Sequence, residues 1–145
     1  MEKENLKIVF ISNYFNHHQK YLSEELNNLT KGNYYFIETE PMESERLNMG
    51  WGVNEKPCYV KQNYLNENSK SECQSLINNA DVVITGSAPE YLIKKRKKQG
   101  KLIFRYSERI LKKSEPIKYP IRYYRFHKNN PKSSNIYMLC ASAYT

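Results

Sequence analysis

The sequence lacks both of the glycine-rich motifs that hold nucleotide phosphates. No G-x-G-x-x-G follows the first apolar run, and no G-x-x-x-x-G-K-[ST] occurs in this chain, which has only five glycines. A flavin or nucleotide held entirely by this domain is therefore unsupported, and we expect no bound cofactor.

Cysteine is scarce, and its spacing excludes a disulfide framework. Cys58, Cys73 and Cys140 are odd in number and widely spaced, and they form no C-x-x-C pair. This pattern predicts reduced, buried thiols in a cytoplasmic protein rather than metal ligands or a catalytic thiol. His17 and His18 are adjacent, so on a helix they point about 100° apart and cannot share a metal ion. The sequence predicts no metal site.

Long apolar runs are also missing. No apolar stretch approaches the ~20 residues that span a bilayer. Residues 1–5 are polar and the first apolar run is short, which argues against a signal peptide. We expect a cytoplasmic protein whose 145 residues form one domain over 1–145, as a fragment of a longer chain.

Acidic residues are rare in the second part of the chain. Residues 1–85 carry eight Lys and Arg against twelve Asp and Glu, whereas residues 86–145 carry fifteen against three. A basic half suggests an anionic partner, such as nucleic acid, a phosphate-bearing ligand or a membrane surface. The alternative is that most of these cations lie on solvated helix faces.

Apolar runs that suit buried strands recur along the chain. They occur at Leu6 with 8–11, then at 34–37, 59–60, 81–85, 101–106 and 135–140. Residues 41–57 are expected to form a long loop, the kind of segment that often carries function.

Helical patterns separate these runs. The first helix is expected to begin near His17 and to bury Leu22, Leu26 and Leu29. Further helices are expected over 71–79, 89–99, 109–113 and 119–128. Parallel strands need crossover helices, so the order predicts an α/β fold with a Rossmann-like, doubly wound, mostly parallel sheet and helices on both faces.

Polar residues follow the first predicted strand. In an open α/β sheet, ligands bind at the carboxyl ends of the strands, which makes Asn13, Tyr14 and Asn16 the first candidates for binding. His17 or His18 could hydrogen-bond a sugar hydroxyl or a phosphate, or could simply pack at the start of a helix.

Two later strand ends carry further candidates. Gly86 and Ser87 precede a predicted helix, where backbone N–H groups could meet an anion, although N-capping by Ser87 explains them equally well. Glu108 follows a strand beside Arg105 and Arg109, where it could act as a general base or could form a surface ion pair.

Four segments resemble one family when they are taken together. They are KIVFISNYFNHHQ at 7–19, FIETEPM at 36–42, GSAPE at 86–90 and FRYSER at 104–109. In this order they are similar to the N-terminal, acceptor-side domain of bacterial GT-B-fold glycosyltransferases, in family-4-like sequences of polysaccharide and capsule loci.

The resemblance implies one half of a two-domain enzyme. The family's N-terminal half holds a glycan or lipid-linked acceptor, and its C-terminal half grips the nucleotide-sugar with a pair of glutamates. No metal is needed, and the N-terminal half alone should be inactive. By position, the acceptor would meet residues at the strand ends: Asn13, Tyr14, Asn16, His17, His18, Gly86, Ser87 and Arg105.

Glu108 is the catalytic candidate under this resemblance. Many relatives place a His after the strand where this chain has Tyr106, Ser107 and Glu108. The basic helices would fit peripheral contact with an anionic membrane. The main alternative is a non-catalytic basic α/β module that binds nucleic acid or another anionic partner. Of these two partners, nucleic acid is the less favoured. A receiver-like signalling domain is weakened by Ser12 and Asn13, which stand where acidic residues would be needed.

Overall fold

Six parallel strands form the sheet around which the described part of the chain is built. The structure is a computed structural model, and it describes residues 6–53, 55–107, 116–130 and 135–140. The strands are β1 Ile8–Ser12, β2 Tyr34–Glu38, β3 Val60–Gln62, β4 Val82–Thr85, β5 Ile103–Ser107 and β6 Ile136–Cys140.

Helices occupy the connections between these strands. They are α1 His17–Leu29, α2 Ser44–Asn48, α3 Glu67–Asn79, α4 Lys94–Lys98 and α5 Tyr119–Asn129, with 3-10 helices at Glu90–Ile93 and Pro116–Lys118. Within the described ranges, no helix combines the length and the apolar composition needed to cross a bilayer.

The strand order is β3-β2-β1-β4-β5-β6, and every pairing is parallel. The prediction of a doubly wound, Rossmann-like α/β fold is confirmed. The chain adds strands outward from β1 in one direction and then starts again from β1 with β4. The carboxyl ends of β1 and β4 therefore form the topological switch point, where such sheets open a crevice for ligands.

Both faces of the sheet are covered because alternate residues of each strand point to opposite sides. Val9 and Ile11 belong to a core that also contains Ile77 of α3. Ile8 and Phe10 belong to a second core on the other face, against which Leu26 of α1 packs. A strand buried on both faces reads as a continuous apolar run, which explains why β1 could be predicted from the sequence.

The predicted apolar stripe of the first helix is wrong for two of its three leucines. Leu22 is 41% exposed and Leu29 is 70% exposed. Ser23 is buried in their place, and its hydroxyl lies 2.9 Å from the buried hydroxyl of Tyr34. As a polar residue, Ser23 would be expected on the solvent side of the helix. It can be buried because this hydrogen bond satisfies both hydroxyls.

The connection from β4 to β5 also differs from the prediction. Residues 89–99 do not form one helix, because the 3-10 helix Glu90–Ile93 precedes α4. Pro89 occupies the cap position and no side chain caps this helix, so the N-cap assigned to Ser87 is wrong. The short helix predicted at 109–113 lies outside the described residues.

Arg96 is fully buried, although Lys94, Lys95 and Lys98 on the same helix are exposed. Its guanidinium donates to the carbonyl oxygens of Ile77 at 3.1 Å, Ala80 at 2.7 Å, Asp81 at 2.7 Å and Leu102 at 2.8 Å. A second bond to Leu102 comes from Nε at 3.1 Å. Burial lowers the pKa of this guanidinium. Arg96 thus joins the end of α3 to the starts of β4 and β5.

Several element boundaries shift, and one cysteine is misassigned. The helix predicted over 71–79 begins at Glu67, because Asn66 caps it by accepting from the backbone N–H of Ser69 at 2.9 Å. Cys73 is buried as predicted, and burial raises the pKa of its thiol to about 11. Cys58 is exposed, so its predicted burial is wrong.

Candidate functional site

A cleft of about 840 Å³ opens at the carboxyl edge of β1, β4 and β5. Its walls come from the loops after β1 and β4, from the segment around α2, from the end of β5 and from α5. The lining residues are Ser12, Asn13, Tyr14, Asn16, Gln19, Arg46, Trp51, Thr85, Gly86, Ser87, Arg105, Tyr106, Ser107, Arg122, Arg125, Phe126, Asn129, Asn130 and Met138. The size suits a small polar ligand or one end of a larger one.

The loop after β1 is held in place by the end of β2. The carboxylate of Glu38, which is only 1% exposed, accepts from the backbone N–H of Phe15 at 2.8 Å and from Lys56 Nζ at 2.6 Å. The backbone N–H of Thr39 donates to the carbonyl oxygens of Ser12 and Asn13 at 3.0 and 2.9 Å. These bonds fix the strand exit that presents Asn13 to the cleft.

Asn16 lines the cleft and also caps α1. Its side-chain oxygen accepts from the backbone N–H of His18 at 3.0 Å, and its own N–H donates to Gln19 Oε1 at 3.4 Å. This reciprocal pattern is a capping box, in which two orphan donors of the helix terminus are satisfied. The Asn16 oxygen is therefore engaged structurally, and its side-chain NH₂ is the part left to face a ligand.

The two histidines lie beside the cleft and do not line it. Their ring centroids are 3.8 Å apart, and each ring meets Trp51 nearly edge-on, at 6.1 Å for His17 and 5.7 Å for His18. The backbone N–H of His17 donates to the carbonyl oxygen of Trp51 at 3.3 Å. His17 instead lines a neighbouring groove together with Lys20 and Glu24. Local packing at the helix start describes both residues.

The long loop at 41–57 contributes an aromatic and cationic wall. The Arg46 guanidinium lies 5.5 Å from the ring centroid of Tyr14 and 4.8 Å from that of Trp51. Stacking of this kind orders a guanidinium without using all its N–H donors. Among the described residues, Arg46 Nε donates to the exposed carboxylate of Glu43 at 3.4 Å.

Gly86 forms the floor where β4 ends. Its backbone N–H donates to the carbonyl oxygen of Ile11 at 2.8 Å. A Cβ at this position would lie 3.1 Å from Ser12 Oγ and 3.5 Å from the Phe10 ring. The glycine therefore lets the exits of β1 and β4 approach closely, and Ser87 stands exposed at the rim.

Arg105 fastens α5 to the edge of the sheet. It forms a forked ion pair with Glu90, at 2.7 Å from Nη1 and 3.0 Å from Nη2, and Lys97 Nζ lies 3.5 Å from the same carboxylate. Arg105 Nε donates to Asn130 Oδ1, and Lys97 Nζ donates to the carbonyl oxygen of Asn129 at 2.6 Å. The C-terminal end of α5 is thus tied to β5 and α4.

The electrostatic character of the cleft is cationic. Four arginines line it, and none of the described lining residues is an aspartate or glutamate. Glu90 pairs with Arg105 and Glu43 lies 3.4 Å from Arg46, and both of these carboxylates stand outside the lining. Neutral amides and hydroxyls surround the arginines. Such a lining can hydrogen-bond sugar hydroxyls and hold an anionic group with charge-assisted bonds.

The structure brings together six of the eight predicted binding residues: Asn13, Tyr14, Asn16, Gly86, Ser87 and Arg105. His17 and His18 lie outside the lining, and Glu108 lies outside the described residues. Sequence reasoning missed Arg46 and Trp51, although the unusual length of their loop was a usable signal. It also treated α5 only as a basic surface and did not foresee that one side lines the cleft.

Among the described residues, no three His, Cys, Asp or Glu side chains lie close enough to hold a metal ion. Comparison of the chain with protein-family models, with curated proteins and with solved structures gives no significant match. The class defined by fold and site is therefore a Rossmann-like α/β chain with a cationic cleft at its switch point. The resemblance to glycosyltransferases stays a prediction.

Proposed function

We propose that this chain is the acceptor-binding half of a glycosyltransferase, and that its cleft holds a glycan or glycolipid acceptor bearing a phosphate or other anionic group. The observation that supports this most directly is the cleft itself. It lies at the carboxyl ends of β1, β4 and β5, and it combines amides, hydroxyls and aromatic rings with four arginines.

The chemistry of the lining favours a sugar-like ligand. Asn13, Asn16 and Ser87 offer amide and hydroxyl groups suited to sugar hydroxyls, and Arg46, stacked on the Tyr14 and Trp51 rings, offers its guanidinium. Under the glycosyltransferase resemblance, the nucleotide-sugar donor would be held by a second half. Glu108 remains the proposed general base, on sequence position alone.

A titration followed by NMR tests the proposal. The probes are a neutral disaccharide, a hexose 1-phosphate, inorganic phosphate, a nucleoside diphosphate and a short single-stranded oligonucleotide. We expect the hexose 1-phosphate to shift the backbone amides of 13–16 and 85–87 more than phosphate or the neutral sugar does. The largest shifts from the nucleoside diphosphate would instead make this cleft a donor site.

Matched variants locate the anionic group. Arg46→Ala and Arg125→Ala should each weaken hexose 1-phosphate binding about tenfold, since a charge-assisted hydrogen bond is worth roughly 1.5–3 kcal/mol. Lys61→Ala removes one positive charge on β3, where Lys61 pairs with Glu72 at 3.3 Å, and should leave affinity unchanged. Equal losses from all three variants would mean that only net charge is sensed.

One observation favours the second candidate, a basic module for nucleic acid. Tyr123 and Tyr124 are 60% and 65% exposed on α5, and Lys128 Nζ lies 6.0 Å from the Tyr124 ring centroid. Exposed aromatics among cations are typical of single-strand binding surfaces. Oligonucleotide-induced shifts confined to α5 and exceeding all sugar effects would favour this candidate over the first.

A further inference from the structure

The two edges of the sheet differ in how they are protected from pairing with another chain. β3 forms one edge, and it has only three residues, one of which is Lys61, paired with Glu72 at 3.3 Å. A short strand and a charged side chain are two of the ways in which proteins block a sheet edge. β6 forms the other edge, and its five residues include no charge, proline or glycine. The sequence of β6 therefore contains none of these protections.

The backbone of β6 presents hydrogen-bonding groups on its open side. The carbonyl oxygen of Asn135 accepts from the backbone N–H of Ile103 at 2.8 Å, so Asn135 is turned toward β5. The N–H and C=O of one residue point to the same side of a strand, and successive residues alternate. Ile136, Met138 and Cys140 therefore direct these groups away from β5. No strand of the described residues pairs with β6 on that side.

The side chains of β6 are apolar and exposed on both faces of the sheet. Tyr137 is 54% exposed and Leu139 is 40% exposed on one face. Met138 is 36% exposed on the other face, where it lines the cleft. Exposed apolar side chains beside open backbone groups mark the edge as a place where another strand can bind.

We propose that β6 pairs with β6 of a second copy of this chain, in antiparallel orientation about a two-fold axis at Met138. This register places Met138 opposite its own copy, Ile136 opposite Cys140, and Tyr137 opposite Leu139. All the outward N–H and C=O groups of β6 then have partners, which gives about six hydrogen bonds across the axis. The tyrosine and leucine form cross-strand pairs of an aromatic with an aliphatic side chain.

The composition of the strand favours a second copy over a segment of another protein. Residues 133–145 contain no Asp, Glu, Lys or Arg, so nothing there would select an acidic or a basic partner. The strand is instead complementary to itself in the proposed register, and no like charges meet at the contact. Pairing uses the open edge of both copies and leaves β3 at each end of the joined sheet, so association stops at two copies.

Pairing would also extend the wall of the cleft. Met138 lines the cleft, and Met138 of the second copy would lie beside it on the same face of the joined sheet. The strands run in opposite directions, so the start of one β6 meets the end of the other. Each cleft would therefore border on the second copy, whatever ligand the cleft binds.

Sedimentation velocity tests the pairing. The chain should form a dimer that is tighter at about 0.5 M than at about 0.05 M salt, because salt screens the repulsion between two chains of net charge +8. Leu139→Lys should weaken dimerisation about tenfold, since the two-fold axis counts the lost apolar pair and the added charge twice. Leu65→Lys is the matched control, because it adds the same charge at a position that is 60% exposed and should leave dimerisation unchanged.

Met138→Pro tests the position of the axis. Its N–H points away from β5, and proline is accepted in an edge strand where the N–H faces outward. The variant should therefore unfold in urea as cooperatively as the unmodified chain while it no longer dimerises. A folded Met138→Pro variant that still dimerises would contradict the register.

Disulfide cross-linking tests the register directly, in a chain that also carries Cys58→Ser and Cys140→Ser. Mixing the Tyr137→Cys chain with the Leu139→Cys chain should give a mixed disulfide on mild oxidation, because opposite residues lie about 4.5–5.5 Å apart at Cα. The Asn135→Cys chain should not link to itself, because its two copies would lie about 20 Å apart along the joined strands.

Three outcomes would overturn the pairing. They are a monomer at every concentration, equal losses from Leu139→Lys and Leu65→Lys, and self-linking of Asn135→Cys as efficient as the mixed disulfide. A dimer that weakens with salt and is unaffected by Leu139→Lys would instead be held by contacts between the acidic residues of 1–85 and the basic residues of 86–145. Aggregates that grow beyond two copies would contradict the closed arrangement.

Discussion

At the amino-terminal edge of β4 and β5 the sheet is closed by one buried arginine, whereas at the carboxyl-terminal edge it opens onto a cleft lined by four. The guanidinium of Arg96 donates hydrogen bonds to backbone carbonyl oxygens. Arg46 and Arg125 keep donors facing solvent in the cleft. Arginine is thus structural at one edge and available for binding at the other. The positive charge alone does not tell which of these two roles an arginine has, because the role depends on its neighbours in the fold.

The largest expected effect is at the closed edge. Arg96→Ala leaves the carbonyls of Ile77, Ala80, Asp81 and Leu102 without their donor in a buried place, and should lower the free energy of unfolding by about 3–5 kcal/mol. Urea denaturation measures it. Arg96→Lys should recover part of the loss, since an ammonium reaches fewer of these oxygens. A loss below about 1 kcal/mol would show that the edge is held by other contacts.

Glu38, at the end of β2, holds the loop that borders the cleft. Glu38→Gln should lower the free energy of unfolding by about 1–3 kcal/mol. The amide keeps an acceptor for the Phe15 N–H but loses the ion pair with Lys56. Denaturation gives the stability change, and amide shifts at 13–16 report the displaced loop. Lys56→Met, which removes the partner but keeps the carboxylate, is the matched control. If the amide shifts at 13–16 are unchanged in Glu38→Gln, this carboxylate does not hold the cleft loop in place.

Tyr34 limits the stability of the folded protein at high pH. Burial raises the pKa of its hydroxyl above the ordinary value of 10.0. Above pH 10 the unfolded chain therefore loses a proton that the folded chain keeps, so stability is full below pH 10 and falls as pH rises, by about 1.4 kcal/mol per pH unit. Tyr34→Phe should lose stability less steeply between pH 10 and 11.5, measured by urea denaturation. Parallel slopes would contradict the assignment.

The smallest expected effect on stability is at the open edge. Arg125→Ala should change the free energy of unfolding by less than about 0.5 kcal/mol, because the side chain is exposed. The same variant should still weaken hexose 1-phosphate binding about tenfold. Arg96→Ala should therefore lower the free energy of unfolding far more than Arg125→Ala does. A large stability loss in Arg125→Ala would make the cleft wall a structural element.

Prediction from the sequence succeeded where the signal is local and continuous. The buried strands at β1, β2 and β4 read as short apolar runs, and their order implied the parallel sheet. It failed where a residue is recruited by a distant partner. Ser23 is buried because Tyr34 lies across from it. The helix predicted over 89–99 is instead divided into the 3-10 helix Glu90–Ile93 and α4 Lys94–Lys98.

For the candidate site, the sequence located the strand ends but not the other walls. Asn13, Gly86 and Arg105 follow from the rule that ligands gather where parallel strands end. Arg46 and Trp51 enter the cleft through a loop whose path no pattern specifies. The cleft-facing side of α5 depends on the contacts of Arg105 and Lys97 with the end of that helix.

The sequence by itself determined the parallel α/β architecture and the edge of the sheet at which to look, because burial on two faces and crossover helices leave periodic signatures in the chain. Only the tertiary structure decided which cations are buried, which line the cleft and which remain outside. That division depends on which carbonyls and carboxylates the fold brings within hydrogen-bonding reach, and residues 15 or more positions apart meet at those distances without leaving a mark in the local sequence.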